Sequence, residues 1–262
     1  MLIAVDVGNT NVTVGVLKDS LVLRSVKLPT SLLKSRKSAI AALSAKFVDI
    51  RAQEKDIKAV YAVSVVPDIK KDLLSVFSSF FKKEVVVIGD GVAVPIINRY
   101  RIPSQVGQDR LVNAYAGLKM FGPGLIIVDF GTAITFDIVS KRSEYVGGLI
   151  VPGLKLMQEA LHKKTALLPY VELSKPIEII GKDTVSSIRA GIVYGTAGMC
   201  ECLIKRLMEK ECKGFKVITT GGDAELIRPY SSYLSTIEES LILKGLGLIF
   251  KSQGSTLSMH RA

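Results

Sequence analysis

Two similar stretches, one at the start of the chain and one near its middle, constrain the fold more than any other feature of the sequence. Residues 6–10 read Asp-Val-Gly-Asn-Thr and residues 129–133 read Asp-Phe-Gly-Thr-Ala. Each stretch places an aspartate at the end of an apolar strand pattern, then glycine and small polar residues, then another apolar run, which is typical of a β-hairpin. Because the arrangement occurs twice, the sequence predicts a duplicated architecture.

The elements predicted around the two hairpins follow a similar order. The first half has a hairpin over 3–16, strands at 21–28, 57–67 and 84–89, and helices near 36–52 and over 68–82, the second opened by Pro67. A helix over 108–121 and the break Gly-Pro-Gly precede a second half with a hairpin over 125–139, strands at 143–153 and 215–222, helices over 154–163 and 183–211, a short helix and a terminal helix near 239–253.

We therefore predict an α/β protein with an N-terminal domain over 1–121 and a C-terminal domain over 122–262. If the halves face each other, both hairpins lie at one cleft, which suits a nucleoside triphosphate.

The turns of both hairpins carry chemistry that suits phosphate groups. Gly8 and Gly131 allow the backbone to approach an anion closely, and successive turn N–H groups can converge on phosphate oxygens. Neutral side-chain donors follow the glycines: Asn9, Thr10, Asn11, Thr13 and Thr132. A carboxylate beside phosphate is repelled unless a cation lies between them, so Asp6 and Asp129 are interpreted as metal-facing groups. The alternative is that both aspartates only cap tight turns.

Two better-known nucleotide motifs are absent from the sequence. Residues 148–155 have the glycine spacing of a Walker loop, but they carry Leu154 where that motif needs lysine. No G-x-G-x-x-G follows a strand pattern, so a dinucleotide-binding fold has no support.

Charge and hydropathy limit the classes of partner. The formal net charge is +11, but the lysines and arginines are scattered along the chain. This distribution favours a basic surface on a protein that handles anionic substrates over a nucleic-acid-binding protein. The chain runs from Met1 directly into a strand pattern and has no apolar run long enough to span a bilayer, so we predict a cytoplasmic protein without membrane contact.

Cysteine usage argues against a zinc site. Cys200, Cys202 and Cys212 are bunched in one helical pattern, and the two histidines, His162 and His260, lie elsewhere in the sequence. This spacing lacks the ligand set that zinc requires, so we predict three reduced thiols in the packing.

Six blocks of sequence resemble the type III pantothenate kinases. The blocks are DVGNTN at 6–11, SVVP at 64–67, GQDRLVNAYAG at 107–117, DFGTAITFD at 129–137, GGLIVPG at 147–153 and TGGDA at 220–224. Each block is a weak signal by itself, but the six stand in the family's order and span essentially the whole chain. That family belongs to the superfamily of acetate kinases, sugar kinases, heat-shock chaperones and actin. The resemblance therefore implies two duplicated ribonuclease H-like (actin-like ATPase) domains.

The resemblance also implies an activity and a set of site residues. The activity is ATP-dependent phosphorylation of pantothenate to 4'-phosphopantothenate, the first step of coenzyme A biosynthesis, in a homodimer with each active site at or near the subunit interface. ATP is expected at Asp6, Val7, Gly8, Asn9, Thr10, Asn11, Val12, Thr13 and Thr132, with Mg²⁺ near Asp6 through water. Pantothenate is expected at Tyr100, Gly107, Gln108, Asp109, Arg110 and Thr184. Asp109 matches the catalytic base, and Asp129 matches the site of an activating monovalent cation, K⁺ or NH₄⁺.

Several of these residues have simpler explanations that the sequence leaves open. Asp109 is predicted in the first turn of a helix, where the positive dipole end keeps a carboxylate ionised, and it can act there only as a helix-stabilising charge. Arg110 can fix an anion or lie on the surface, and Thr184 can contact substrate or cap a helix. Many family members have threonine where this chain has Ile134. An isoleucine is harmless there if it points into the core, and removes a donor if it points at the nucleotide.

Three glycines mark one face of the long helix predicted over 183–211. Gly191, Gly195 and Gly198 are spaced so that another backbone can approach closely. That backbone belongs either to a second subunit or to another helix of the same chain.

Two other classes of function compete with the pantothenate kinase. One is a non-catalytic relative that acts as an accessory regulator of transcription, and the other is a kinase or phosphohydrolase of the same superfamily for another small acceptor. Retention of Asp6, Asp109 and Asp129 favours an enzyme, and the GQDR block at 107–110 favours pantothenate.

Overall fold

The computed structural model describes residues 1–47 and 56–259. The strands are β1 (Leu2–Val7), β2 (Asn11–Lys18), β3 (Leu21–Pro29), β4 (Ala59–Ser64), β5 (Val85–Val87), β6 (Ile97–Asn98), β7 (Leu125–Phe130), β8 (Ala133–Val139), β9 (Glu144–Pro152) and β10 (Lys216–Thr220). The α-helices are α1 (Arg36–Lys46), α2 (Lys70–Phe81), α3 (Gln108–Phe121), α4 (Leu154–Lys164), α5 (Thr184–Lys210), α6 (Ala224–Ile227) and α7 (Leu241–Met259). Short 3-10 helices lie at Thr30–Lys34, Pro67–Ile69, Pro103–Gln105, Arg228–Tyr230 and Ser232–Leu234.

The first compact unit contains residues 1–96, 101–116 and the chain after residue 239. Its described strands form one mixed sheet in the order β3-β2-β1-β4-β5, with β1 antiparallel to β2 and parallel to β4. Alternate residues of β1, including Val5 and Val7, pack against Phe77 and Phe81 of α2. Because successive strand residues point to opposite faces, Asp6 points away from this core.

The second compact unit contains residues 97–100 and 117–239. Its described strands form a mixed sheet in the order β10-β7-β8-β9-β6, with β7 antiparallel to β8 and parallel to β10. Val128 and Phe130 pack in a core that includes Val193 and Ala197 of α5. Asp129 therefore points away from that core, as Asp6 does in the first unit, so the two halves repeat one design.

The terminal helix α7 lies in the first unit, whereas the domain division at 121/122 assigned it to the second. Leu243 of α7 lies against Gly15 of β2, where an added Cβ would be 2.7 Å from a Leu243 methyl carbon. The rings of Phe250 and Tyr61 meet edge to face with centroids 5.4 Å apart. The helical period shows which face of α7 is apolar, but packing alone selects the sheet that this face covers.

Most predicted elements are confirmed, with small differences at their ends. The helix predicted near 36–52 is α1 up to Lys46, and the rest of that prediction falls mainly on residues outside the described ranges. The helix predicted over 68–82 begins as α2 at Lys70, because Pro67–Ile69 form a 3-10 turn first. The pairing of β6 with β9 was not predicted, since a two-residue strand has no periodicity to detect.

The three cysteines are free thiols. Cys200 and Cys212 are buried, as predicted, but Cys202 is exposed, so its predicted place in the packing is wrong. Burial raises the pKa of Cys200 to about 12, which keeps this thiol protonated. Within residues 1–47 and 56–259, no group of histidine, cysteine and acidic side chains has the arrangement of a metal site. No helix in these ranges has the length and apolarity to cross a membrane.

Candidate active site

The first hairpin forms a three-residue turn between β1 and β2. Val7 pairs with Val12 at the end of the ladder, and the Gly8 N–H donates to the Asn11 carbonyl over 2.9 Å. Asn9 and Thr10 are exposed at the tip of the turn. The predicted site residues of this hairpin therefore lie together, with polar groups at the surface.

Two residues of the predicted ATP hairpin have buried side chains. Val7 and Val12 both belong to the core of the first unit. Only their backbone atoms remain for a ligand. Asp6, by contrast, is partly buried on the other face of the sheet and lies opposite Thr13 in the β1–β2 ladder.

The loop after β4 lies beside the first hairpin. β1 and β4 are parallel, with Val7 beside Ser64, so their carboxyl ends meet at one edge of the sheet. The Val65 N–H donates to the Val7 carbonyl over 3.1 Å, and the Ser64 hydroxyl accepts from the Val66 N–H over 3.2 Å. These bonds explain why the SVVP block accompanies the hairpin, although sequence reasoning assigned it no role.

Helix α3 begins next to the loop that follows β5. Gly89 has φ of +93°, and a Cβ there would lie 3.0 Å from Cγ of Gln108. A Cβ on Gly107 would overlap Oδ1 of Asp109, so a larger residue there would displace the Asp109 carboxylate. Oδ1 of Asp109 accepts from the Arg110 N–H over 2.8 Å. The segment Gly107–Arg110 thus holds one carboxylate in a defined position.

Burial decides the electrostatics of Asp109. Desolvation raises the pKa of this carboxyl above its ordinary value, while the N–H and the positive charge of Arg110 oppose the rise. Desolvation thus opposes ionisation of this carboxyl, whereas the helix dipole that the sequence indicated favours it. Arg110 is only 8% exposed, so its interpretation as a surface arginine is wrong.

The second hairpin has a shorter turn of Gly131 and Thr132 between β7 and β8. The Gly131 N–H donates to the Ala133 carbonyl over 3.1 Å, and Asp129 lies opposite Thr135 in the ladder. Ile134 is fully buried in the core of the second unit. It therefore points into the core, which is the harmless one of the two alternatives.

Two glycines of the GGLIVPG and TGGDA blocks contact the second hairpin closely. Gly221, at the end of β10, has φ of +95°, and a Cβ there would lie 2.5 Å from Oδ1 of Asp129. The Gly153 N–H donates to the Thr132 carbonyl over 3.0 Å. These blocks shape the surroundings of Asp129 and the second turn. The two glycines are visible in the sequence motifs, but their contacts with Asp129 and Thr132 are visible only in the folded structure.

Tyr100 lies just after β6, the short strand that pairs with β9. Its ring lies over Gly147, where an added Cβ would be 3.6 Å from Cε2, and its centroid is 6.4 Å from that of Tyr145. Arg99 fixes the segment, because its side chain donates twice to Oε1 of Glu144, over 3.0 and 2.7 Å. Tyr100 thus follows β6 in the second unit, and its ring lies against β9.

Thr184 is the first residue of α5 and is exposed. The N-cap of this helix is Asp183, whose Oδ1 accepts from the Ser186 N–H over 2.8 Å while the Ser186 hydroxyl completes a capping box. The interpretation of Thr184 as a helix cap is therefore wrong. Its hydroxyl lies at the start of the helix that carries the three glycines.

The glycine strip on α5 faces outward. Gly191, Gly195 and Gly198 are exposed, and a Cβ added at any of them would meet no atom of the described chain within 4 Å. A helix of the same chain does not occupy this strip in the described ranges. The intrachain alternative therefore has no support within residues 1–47 and 56–259, and a second subunit at this strip stays a prediction.

Comparisons with known proteins find the same family that the six sequence blocks resemble. The family model for type III pantothenate kinases matches residues 2–206. A type III pantothenate kinase from Bacillus cytotoxicus is 37% identical over 251 residues, which are 96% of each chain. Among solved structures, a putative Baf family transcriptional activator from Campylobacter jejuni superposes with a TM-score of 0.57 at 19% identity, covering 97% of this chain and 99% of that one. A putative N-acetylglucosamine kinase from Porphyromonas gingivalis gives 0.52 at 14% identity, covering 96% and 99%. The structural likeness agrees with the predicted fold class, two ribonuclease H-like domains.

Proposed function

Since the chain belongs to the type III pantothenate kinase family, we propose that it transfers the γ-phosphate of ATP to the primary alcohol of pantothenate, giving 4'-phosphopantothenate for coenzyme A synthesis. Family membership over most of the chain carries this proposal. The retained carboxylate at the start of α3, Asp109, supports a catalytic protein. Such a reaction asks the protein chiefly to position the reactants and to neutralise charge, because the transition state is loose.

ATP is proposed to bind through both hairpins. The turn after β1 offers N–H groups and the exposed side chains of Asn9 and Thr10 to phosphate oxygens, and Thr132 contributes from the second hairpin. Asp6 carries an oxygen donor beside this turn, which suits Mg²⁺ held through water. Bound there, the ion would neutralise charge on the phosphates.

Asp129 is proposed to hold the activating monovalent cation, K⁺ or NH₄⁺. Its carboxylate is partly buried at the carboxyl end of β7, and Gly221 leaves room at Oδ1 that a larger residue would fill. Carboxylate oxygen is a ligand that suits a hard cation. The cation would offset negative charge near the second turn.

Asp109 is proposed to orient the pantothenate hydroxyl and accept its proton during attack on the γ-phosphate. A raised pKa makes the carboxylate a stronger base than an ordinary aspartate, which favours proton transfer in the transition state. Arg110 is proposed to fix an anionic group of a reactant, since its buried guanidinium is a planar donor. Gly107 and Gln108 complete this side of the pantothenate pocket, with Tyr100 and Thr184 as further contacts.

The protein is proposed to act as a homodimer in the cytoplasm, without nucleic-acid or membrane partners. The outward-facing glycine strip of α5 supports a second subunit at this helix. Thr184 begins the same helix, so a contact along α5 would bring a subunit interface near a proposed substrate residue.

The test is ADP release by the purified protein from ATP and Mg²⁺, with and without pantothenate, in potassium and in sodium buffer. We expect turnover only with pantothenate and faster turnover in potassium. Asp109→Asn should lower kcat by about 100-fold or more, as loss of a general base does. Asp72→Asn, which removes a carboxylate from the first turn of α2, is the matched control and should stay within about twofold of wild type. Folded protein that binds ATP but shows no pantothenate-dependent ADP release would refute the proposal.

A further inference from the structure

Thr30, which has no role in the proposed chemistry, forms two hydrogen bonds with the turn of the first hairpin. The Thr30 hydroxyl donates to the Gly8 carbonyl over 2.7 Å, and the Thr30 N–H donates to the Thr10 carbonyl over 2.9 Å. Thr30 is buried, whereas Asn9 and Thr10 are exposed. Both carbonyls are therefore tied to a residue on the interior side of the turn.

These two bonds also fix the direction of two N–H groups. In a trans peptide, the carbonyl oxygen and the next N–H point in opposite directions, and the described chain has no cis peptide bond. The Gly8 carbonyl shares its peptide plane with the Asn9 N–H, and the Thr10 carbonyl shares its plane with the Asn11 N–H. Because the carbonyls point toward Thr30, the two N–H groups point away from it. Backbone N–H groups that point out of a turn can bind an anion.

The second hairpin has one of these two hydrogen bonds, the one from a backbone N–H. Gly153 follows the end of β9 as Thr30 follows the end of β3, and its N–H donates to the Thr132 carbonyl. A side chain at Gly153 does not fit, because its Cβ would overlap the Gly131 and Thr132 carbonyl oxygens. The Gly8 carbonyl, which accepts from the Thr30 hydroxyl, corresponds to the Gly131 carbonyl of the second turn, where the glycine at 153 has no hydroxyl to donate.

We propose that Thr30 is a positioning residue for the phosphates of the nucleotide. Its hydroxyl fixes the Gly8–Asn9 peptide so that the Asn9 N–H is directed to the exposed side before ATP binds. A donor that is already oriented does not lose conformational freedom on binding, which increases affinity for the anion. The inference rests on the proposed function in one respect, namely that ATP is the ligand of this turn.

The experiment compares Thr30→Val with wild type by direct ATP–Mg²⁺ titration calorimetry and by steady-state kinetics. Valine keeps the branched shape and the backbone N–H but removes the hydroxyl. We expect the Kd and the KM for ATP to rise about five- to tenfold, the effect of one hydrogen bond, with the KM for pantothenate within about twofold of wild type. Thr165→Val is the matched control, since the Thr165 hydroxyl also donates to a backbone carbonyl, that of Leu161, over 2.8 Å.

A second pair of variants isolates the hydroxyl if valine impairs folding. Thr30→Ser and Thr30→Ala both lack the methyl group, and only serine retains the donor. Serine should bind ATP within about twofold of wild type and alanine should bind about five- to tenfold more weakly.

Three results would overturn the role of Thr30. They are unchanged ATP affinity in both hydroxyl-lacking variants, a lower thermal stability with unchanged KM for ATP, and an equal rise in the KM of both substrates. The kinase proposal fails separately, when wild type binds ATP but does not phosphorylate pantothenate. Wild-type protein that binds no ATP would overturn both.

Discussion

Substitution of Tyr145 by phenylalanine should destabilise the second unit through a buried carboxylate. Asp137 and Tyr145 are both fully buried, and the Tyr145 hydroxyl donates to Oδ1 of Asp137 over 3.0 Å. The Thr135 hydroxyl donates to the other oxygen, also over 3.0 Å. Phenylalanine retains the ring and its packing, so the main loss is one hydrogen bond to the carboxylate. Such bonds contribute about 1.5–3 kcal/mol, and we expect a loss of about 2 kcal/mol in the free energy of unfolding.

The assay is urea unfolding followed by circular dichroism, together with hydrogen exchange of the β8 and β9 amides. Because two compact units need not unfold in one step, hydrogen exchange reports the second unit separately. Tyr170→Phe is the matched control, since Tyr170 is 51% exposed, and it should change stability by less than about 0.5 kcal/mol. The reasoning would be refuted if Tyr145→Phe lowered the free energy of unfolding by less than about 0.5 kcal/mol, or if both variants lowered it equally.

Four further predictions concern the site and the glycines. Gly221→Ala should abolish potassium activation and most turnover, because its Cβ would lie 2.5 Å from Oδ1 of Asp129 at a φ of +95°; an active variant with normal potassium dependence would contradict the proposed cation site. The raised pKa of Asp109 should shift the acidic limb of the pH–kcat/KM profile to higher pH than an ordinary aspartate gives, and Asp109→Asn should lose that limb. With a folded-state pKa above the unfolded one, the stability that Asp109 contributes is present at low pH and is lost as pH rises through the folded pKa. Asp109→Asn should therefore be more stable relative to wild type at pH 7 than at pH 3, as checked by thermal unfolding at both pH values. Gly195→Leu should weaken dimers measured by analytical ultracentrifugation while leaving the protomer folded, since a Cβ at this exposed position meets no atom of the described chain within 4 Å; an unchanged dimer would place the interface elsewhere.

Strong local patterns predicted most of the fold. The two Asp-Gly hairpins, the helix at 108–121 and the long helix α5 lie where apolar periodicity and turn residues indicated. Their duplication led directly to two similar units. Segments with weak local signals were predicted less well, as the two residues of β6 and the 3-10 turn before α2 illustrate.

The site was predicted as residue types in a pattern, but not as a set of contacts. Asp6, Asp109 and Asp129 were identified by motif, yet the burial that raises the pKa of Asp109 follows from packing around α3. Thr30 was missed, because its partners Gly8 and Thr10 are about twenty residues away in the sequence and β3 must fold back to bring them together.

The sequence by itself determined the elements, the duplication and the family, because these depend on periodicity and on residue types at short spacing. The tertiary structure alone decided that α7 covers the sheet of the first unit, that Ile134 points into the core, and that Gly221 lies close to the Asp129 carboxylate. Each of these depends on contacts between residues far apart in the chain. Such contacts are selected by the packing of complete elements and leave no local pattern in the sequence.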